Sequence, residues 1–139
     1  QKGCKDIPKP VVKNKVLQMK ILKMYSMDQS VRGNVMEDFI RKHRLDTIDY
    51  EFSCDNNVDL NNQCILKEVI EEYGFPSVNL IGKDALRGVF MIIQHADRNI
   101  EWQKEQLLYI KAAVLKGELD ARKYAYLYDR IQMNARLPQ

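Results

Sequence analysis

The sequence Gly88-Val-Phe-Met-Ile-Ile-Gln-His-Ala-Asp97 holds the most apolar run in the chain, and that run ends in a glutamine and a histidine. Five consecutive apolar residues are typical of an element that contacts protein on nearly every side. Because neighbouring residues on a helix differ by about 100°, Gln94 and His95 fall on opposite margins of the apolar face. The stretch therefore predicts a buried helix over 83–96 with a candidate polar site at its end.

The composition is typical of one globular domain. The chain has 139 residues, of which 45% are hydrophobic and 29% charged, so it is long enough to form a core without a metal or a disulfide. No apolar run approaches the ~20 residues of a membrane-spanning helix. The chain has no CxxC, GxGxxG, Walker, HExxH or GxSxG motif, so it indicates neither a metal site nor a particular cofactor.

Basic charge is concentrated at the beginning of the chain, where residues 1–23 hold seven lysines and one acid. Residues 1–10 contain Gly3, Pro8 and Pro10 and are predicted to be an extended basic arm, with a single α-helical domain over 11–139. Nucleic-acid-binding domains spread basic and aromatic residues over one face. Because no aromatic residue precedes Tyr25, the pattern favours a solvated arm over one that contacts phosphates or acidic lipids.

Helical periodicity and helix-ending residues predict an all-α bundle of five or six helices with short links. The first helix starts near Val11 and is broken or kinked at Gly33, and a loop covers 45–58. Gly74 and Gly117 end two later helices, with a connector over 77–82. The other predicted helices cover 34–43, the stretch up to Gly74, 83–96, 100–116 and 121–134.

Residue type and spacing predict the side-chain caps and the buried faces of the helices. The predicted caps are Asp59 or Asn61 for the helix before Gly74, Asp97 or Asn99 for the helix over 100–116, and Asp120 for the last helix. The last helix is predicted to bury Tyr124, Leu127, Tyr128 and Ile131. His43, among cations in a last turn, is predicted to be an exposed structural residue.

The cysteines and the first residue bear on the compartment. Cys54 and Cys64 flank a polar loop and are close enough in sequence to pair, although three cysteines are also compatible with free thiols. The chain begins with Gln rather than Met, which would fit an exported protein after removal of a signal peptide. The sequence therefore favours a periplasmic or secreted protein over a cytoplasmic one.

Polar residues interrupt the apolar helices at four places: Asp28-Gln-x-x-Arg32, Gln94-His95, Gln103 and Asp129-Arg130. An unsatisfied buried amide costs about 1–3 kcal/mol, so a glutamine in an apolar stripe must find partners. We therefore expect these residues to converge.

The predicted site assigns each of these residues a role. His95 is the candidate general acid or base, oriented by Asp28 or Asp129, in a pocket that binds a small anionic ligand and supports hydrolytic or proton-transfer chemistry. The predicted ligand-binding residues are Arg32, Arg130, Gln94, Gln29 and Gln103. The alternative is a non-enzymatic module in which the same side chains form a closed buried network that fixes how the helices pack.

Several segments, in this order and spacing, resemble a bacterial family of unknown function, domain of unknown function 6624. They are Asp28-Gln-x-x-Arg32, Tyr73-Gly-Phe-Pro76, Gln94-His-Ala-Asp97, Gln103, Gly117-Glu118 and Tyr124-Ala-Tyr-Leu-Tyr-Asp-Arg130. The resemblance covers roughly residues 16–139 and implies that the eight polar residues named above are the family's polar signature. It also implies that members continue past a Pro-Gln like Pro138-Gln139 into Tyr-Gly-Thr-Gln. It supplies no reaction.

Overall fold

Seven α-helices make up the part of the chain that the computed structural model describes, residues 11–136, and no strand occurs among these residues. The predicted all-α class is confirmed, but five or six helices were expected. The predicted arm over residues 1–10 lies outside the described residues. The helices are α1 (Lys15–Ser30), α2 (Glu37–His43), α3 (Val58–Tyr73), α4 (Val78–Ile81), α5 (Lys83–Gln94), α6 (Ile100–Leu115) and α7 (Ala121–Ala135), with 3-10 turns at Leu45–Thr47 and Asp97–Asn99.

The additional helix is α4, which lies in the predicted connector over 77–82. Ser77 begins it, because its hydroxyl oxygen accepts a hydrogen bond from the backbone N–H of Leu80 at 3.3 Å. Gly82 ends it with a φ of +85°, a conformation that favours glycine. A single helical turn shows no apolar periodicity, which is why the sequence pattern did not reveal it.

Helix α5 is the central element, as its apolar run predicts. Val89, Ile92 and Ile93 are fully or almost fully buried, and α5 packs mainly on α1. The two helices approach closely at Gly88, where an added Cβ would lie 2.8 Å from the Cβ of Tyr25. Helices α6 and α7 form the other extensive pair. None of the described helices is long and apolar enough to cross a membrane.

The predicted start of the first helix was wrong. Helix α1 begins at Lys15 rather than near Val11, because the side-chain oxygen of Asn14 accepts a hydrogen bond from the N–H of Leu17 at 3.0 Å. Val16, in the first turn of α1, is 82% exposed. The cap therefore sets the first residue more firmly than the apolar pattern does.

The predicted cap of α3 was wrong, and the predicted cap of α6 is confirmed only in its position. Asn57 caps α3, accepting from the N–H of Leu60 at 3.0 Å, and neither Asp59 nor Asn61 does so. At the start of α6, Asn99 stands at the cap position without a side-chain hydrogen bond. The cap at Asp120 is confirmed, because its carboxylate accepts from the N–H of Arg122 at 2.8 Å.

Two side chains differ from their predicted exposure. Tyr128 is 44% exposed and does not belong to the buried face of α7. His43 is largely buried, with 18% of its side chain exposed, and its Nε2 lies 3.0 Å from a carboxylate oxygen of Asp84. The pair joins the end of α2 to the start of α5, so His43 is a structural residue but not an exposed one.

Cys54 and Cys64 form a disulfide, which resolves the two alternatives that the sequence left open. The bond ties the loop after the 3-10 turn at Leu45–Thr47 to α3. Asn61, fully buried, supports the same loop by accepting from the N–H groups of Cys54 and Asp55 at 2.9 and 3.0 Å. The loop is therefore held by one covalent bond and by a buried amide.

We expect Gly88→Ala to destabilise the protein by about 1 kcal/mol. Alanine gains about 1 kcal/mol in helix propensity, but overpacking costs about 1–3 kcal/mol, and the Cβ of Tyr25 cannot swing away from the new methyl group. Urea denaturation measures the difference, with the exposed Lys83→Ala on the same helix as control. A Gly88→Ala protein as stable as the wild type would show that α1 and α5 can separate at no cost.

We expect reduction of the Cys54–Cys64 disulfide to lower the free energy of unfolding by about 2–3 kcal/mol, the chain-entropy value for a loop of this length. The measurement compares urea denaturation with and without a reducing agent. The double variant Cys54→Ala/Cys64→Ala is the control and should not respond to the reductant. If the reductant lowered the stability of both proteins equally, the loss of stability would not come from this disulfide.

Candidate functional site

The site is built around His95, the residue that follows the last turn of α5. Its backbone N–H still donates to the carbonyl of Met91 at 3.2 Å, but its φ and ψ leave the helical range and the chain enters the turn at Asp97–Asn99. The side chain is 10% exposed. An imidazole at the buried end of an apolar helix needs a hydrogen-bond partner.

That partner is Asp28 of α1, whose side chain is 1% exposed. The Nδ1 atom of His95 lies 2.7 Å from the Oδ1 atom of Asp28. The other carboxylate oxygen accepts from the side-chain amide of Gln29 at 3.0 Å. Because a carboxylate oxygen accepts, Nδ1 of His95 donates, and in the neutral form of the ring Nε2 is then the acceptor.

Arg32 connects this pair to α3. Its Nη1 donates to the backbone carbonyl of Asp28 at 2.7 Å and lies 3.3 Å from the carboxylate. Its two terminal nitrogens also donate to the two carboxylate oxygens of Asp59, at 3.0 and 2.8 Å. The spacing of Asp28 and Arg32 in the sequence indicates only a surface ion pair. In the structure the two residues belong to a network that joins α1 and α3.

Asp97 forms a second network with α7. Its carboxylate accepts from Arg130 at 3.0 and 2.7 Å and from the side-chain amide of Asn134 at 2.8 Å. Burial raises the pKa of Asp97, but the hydrogen bonds from Arg130 and Gln103 outweigh it, so the pKa lies below its ordinary value of 3.8. Asp97 therefore stays charged and holds Arg130 in place.

Gln103 is fully buried, as its place in the apolar stripe of α6 predicts. Its side-chain amide donates to the backbone carbonyls of Ile93 and Gln94 at 3.0 and 3.2 Å. The last carbonyls of a helix have no partner within it, so Gln103 satisfies the end of α5. Among the described residues its carbonyl oxygen has no partner. Gln103 therefore has a structural position, in which it caps the C-terminal end of α5.

A cavity of about 490 Å³ opens beside His95, within the size range of small-molecule pockets. Three arginines and two carboxylates line it, and Arg98 has no carboxylate partner among the residues described. Gln63 contributes a buried carbonyl oxygen that has no partner in that part of the chain. The lining residues are Arg32, Asn57, Asp59, Leu60, Gln63, His95, Asp97, Arg98 and Arg130.

The structure brings together six of the eight predicted site residues: Asp28, Gln29, Arg32, His95, Gln103 and Arg130. Gln94 and Asp129 lie apart from them. Each is next to a residue of the site, and a step of about 100° around the helix turns its side chain elsewhere. Gln94 lines a separate shallow cavity with Phe90 and Tyr126.

Asp129 is exposed, and within residues 11–136 its side chain makes no hydrogen bond or ion pair. The carboxylate that holds Arg130 is Asp97 instead. Of the two candidate partners of His95, only Asp28 contacts it among the described residues. Asp59 and Asp97 were missed as site residues because an aspartate before a helix is a common cap, and only their tertiary partners distinguish the two roles.

The described residues also contain one group of potential metal ligands outside this cavity. The sulfur atoms of Cys54 and Cys64 and a carboxylate oxygen of Glu68 lie within 4.8 Å of one another. The two sulfurs form the disulfide, and a metal binds the thiolate form of cysteine. This group is therefore accounted for by the disulfide.

The described residues define an all-α protein with a buried carboxylate–imidazole pair beside a polar, arginine-lined cavity. A family model described as "Family of unknown function (DUF6624)" matches residues 15–139, and the chain belongs to this family. No curated protein and no solved structure matches the chain.

We expect Asp97→Asn to destabilise the protein by about 1 kcal/mol at neutral pH, a value reduced for the partial exposure of the pair with Arg130. Because the pKa of Asp97 is lowered on folding, its stabilising effect is complete well above its ordinary pKa and is lost as the pH falls through the lowered value. The difference between wild type and variant, measured by urea denaturation, should therefore shrink below pH 3.8.

Asp129→Asn is the matched control for this experiment, because it removes an exposed carboxylate from the residue next to Arg130. It should change the free energy of unfolding by no more than about 0.5 kcal/mol at any pH. A stability difference for Asp97→Asn that persists in acid, or an equal effect of Asp129→Asn, would contradict the assignment of Asp97 as the carboxylate that holds Arg130.

Proposed function

We propose that the protein binds a small anionic molecule in the cavity beside His95 and hydrolyses it, or transfers a proton, with His95 as the general base. The observation that carries this proposal is the 2.7 Å contact between Asp28 and Nδ1 of a histidine that lines the cavity. With Nδ1 donating to Asp28, Nε2 has its lone pair available, and no described residue forms a hydrogen bond with it. This is the arrangement that a general base requires.

The arginines account for an anionic ligand. Arg32, Arg98 and Arg130 line the cavity against the two carboxylates of Asp59 and Asp97. The contacts to Asp28, Asp59 and Asp97 occupy only part of the N–H groups of Arg32 and Arg130, since a guanidinium group has five. The remaining donors can bind a carboxylate, phosphate or sulfate group without breaking either pair.

The proposed hydrolytic step uses one water molecule. Nε2 of His95 takes a proton from the water molecule. At the same time the water oxygen forms a bond to an electrophilic carbonyl or phosphoryl centre of the ligand. The bond to the leaving group then breaks, and the imidazolium returns the proton to that group. Asp28 holds the ring in the required tautomer and stabilises the imidazolium, and Arg98 and Arg130 offer N–H groups to the charge that develops on the ligand.

The alternative is that these residues form a closed network with a structural role. The observation in its favour is that Arg32 and Arg130 each have a carboxylate partner already, and that Asp28 is surrounded by donors. Such a network fixes helix packing without any ligand. The cavity beside His95 favours the ligand-binding function over this alternative.

We expect His95→Gln to abolish most turnover while the protein stays folded. The wild type is screened against chromogenic esters and phosphoesters, and by thermal shift against small carboxylates, phosphates and sulfates. For any substrate found, loss of a general base lowers kcat/KM by about 10²–10⁴-fold. Asp28→Asn, which keeps the shape of the side chain but removes its charge, should lower kcat more than it raises KM.

His43→Gln is the control, since His43 also contacts a carboxylate, that of Asp84, but does not line this cavity. It should leave turnover and ligand binding unchanged. If no compound raises the unfolding temperature and no substrate is turned over, or if His43→Gln and His95→Gln lower turnover equally, the ligand-binding proposal fails and the structural network becomes the better account.

A further inference from the structure

A second cavity, of about 360 Å³, lies between α1, the loop after the first 3-10 turn and α3. It shares no residue with the cavity beside His95. Its wall is apolar, and Met24 and Ile65, which are almost fully buried, also belong to the hydrophobic core. The apolar wall consists of Val16, Met19, Met24, Ile48, Ile65 and the ring of Tyr50.

The wall opposite α1 is fixed by hydrogen bonds before any ligand binds. The hydroxyl of Tyr50 donates to the side-chain oxygen of Asn62 at 2.6 Å and accepts from the amide of Asn61 at 3.0 Å. Asn61 also donates to the carbonyl of Glu51 at 2.8 Å. The Cys54–Cys64 disulfide anchors the same loop to α3. The cavity is therefore preformed, as small-molecule sites usually are.

Three lysines line part of the cavity. Lys15 and Lys20 are exposed, and neither forms an ion pair with another described residue. Lys23 is partly buried, and its ammonium group donates to the carbonyl of Leu45 at 3.2 Å. Asp49 and Glu51 also line the cavity, so three positive charges face two negative ones. The rim therefore favours a negatively charged group beside an apolar interior.

We propose that this cavity binds a free, single-chain anionic amphiphile, such as a medium-chain fatty carboxylate. The chain lies against the methionines and isoleucines, and the carboxylate lies among the lysines. An unbranched chain suits a wall with two methionines, because their flexible thioether side chains adjust to a ligand without fixed shape. The lysines contribute in two ways, since their methylene stems cover the apolar chain and their ammonium groups reach the head group.

A series of carboxylates tests the apolar part of the site. Octanoate, nonanoate and decanoate are titrated into the protein by isothermal calorimetry below their micelle-forming concentrations. Each added methylene that is buried should tighten binding about fourfold. The corresponding alcohols and alkylammonium ions should bind more weakly than the carboxylate of equal length. Affinity that does not change with chain length, or that is equal for all three head groups, would overturn the proposal.

Paired variants test the location of the site. Lys15→Gln/Lys20→Gln should weaken decanoate binding about three- to tenfold, within the range of two exposed ion pairs. Lys111→Gln/Lys116→Gln, which removes two exposed lysines elsewhere, should have no effect. Val16→Asp places a carboxylate on the wall at an exposed position and should weaken binding strongly. Val35→Asp, exposed and outside the cavity, is its control.

Two further comparisons distinguish this site from the cavity beside His95 and from a membrane-binding surface. His95→Gln should bind decanoate as tightly as the wild type, so the proposal stands or falls independently of the function proposed for His95. Binding to anionic phospholipid vesicles without binding to monomeric decanoate would show a membrane surface to be the partner and would overturn the proposal. Equal weakening by the test variants and their controls would do so as well.

Discussion

The buried carboxylate of Asp28 is the constraint on which the rest of the site depends. A carboxylate that is 1% exposed is stable in its charged form only when donors surround it. Here the donors come from the ring of His95, the amide of Gln29 and the guanidinium of Arg32. To supply them, α1 must lie against the end of α5 in one rotation and register. The same requirement places His95 at the cavity wall with a single tautomer.

The close approach of α1 and α5 makes this contact possible. Gly88 leaves room for Tyr25 one turn before Asp28, so the two helix backbones come near enough for the side chains of Asp28 and His95 to meet. From the other side, Gln103 satisfies the carbonyls that α5 leaves open, and it contacts Asp97 at 3.3 Å. The close approach of α1 and α5 and the polar network at the end of α5 are therefore parts of one arrangement.

The sequence predicts the apolar core of this arrangement better than its polar contacts. The helix class and the burial of α5 and Gln103 follow from periodicity, because the apolar face of a helix has to be covered. Polar residues on these apolar faces were expected to converge, because a buried polar group needs a partner. Six of the eight predicted site residues do so. The pairings of Arg32 with Asp59 and Arg130 with Asp97 could not be predicted. They join residues far apart in sequence, and adjacent positions such as Asp129 and Arg130 differ only in direction around the helix.

The two cavities differ in what a ligand would gain there. Beside His95 the wall is mostly polar, and two of its three arginines are already paired with Asp59 and Asp97, so a ligand would add hydrogen bonds to preoriented donors and little apolar burial. Specificity there would come from geometry, because an ill-fitting ligand leaves buried charges without their partners. In the cavity between α1 and α3 the wall is apolar and the charges lie at the rim, so affinity would grow with chain length and depend weakly on shape. Since the two cavities share no lining residue, a ligand proposed for one of them would not compete for the side chains that line the other.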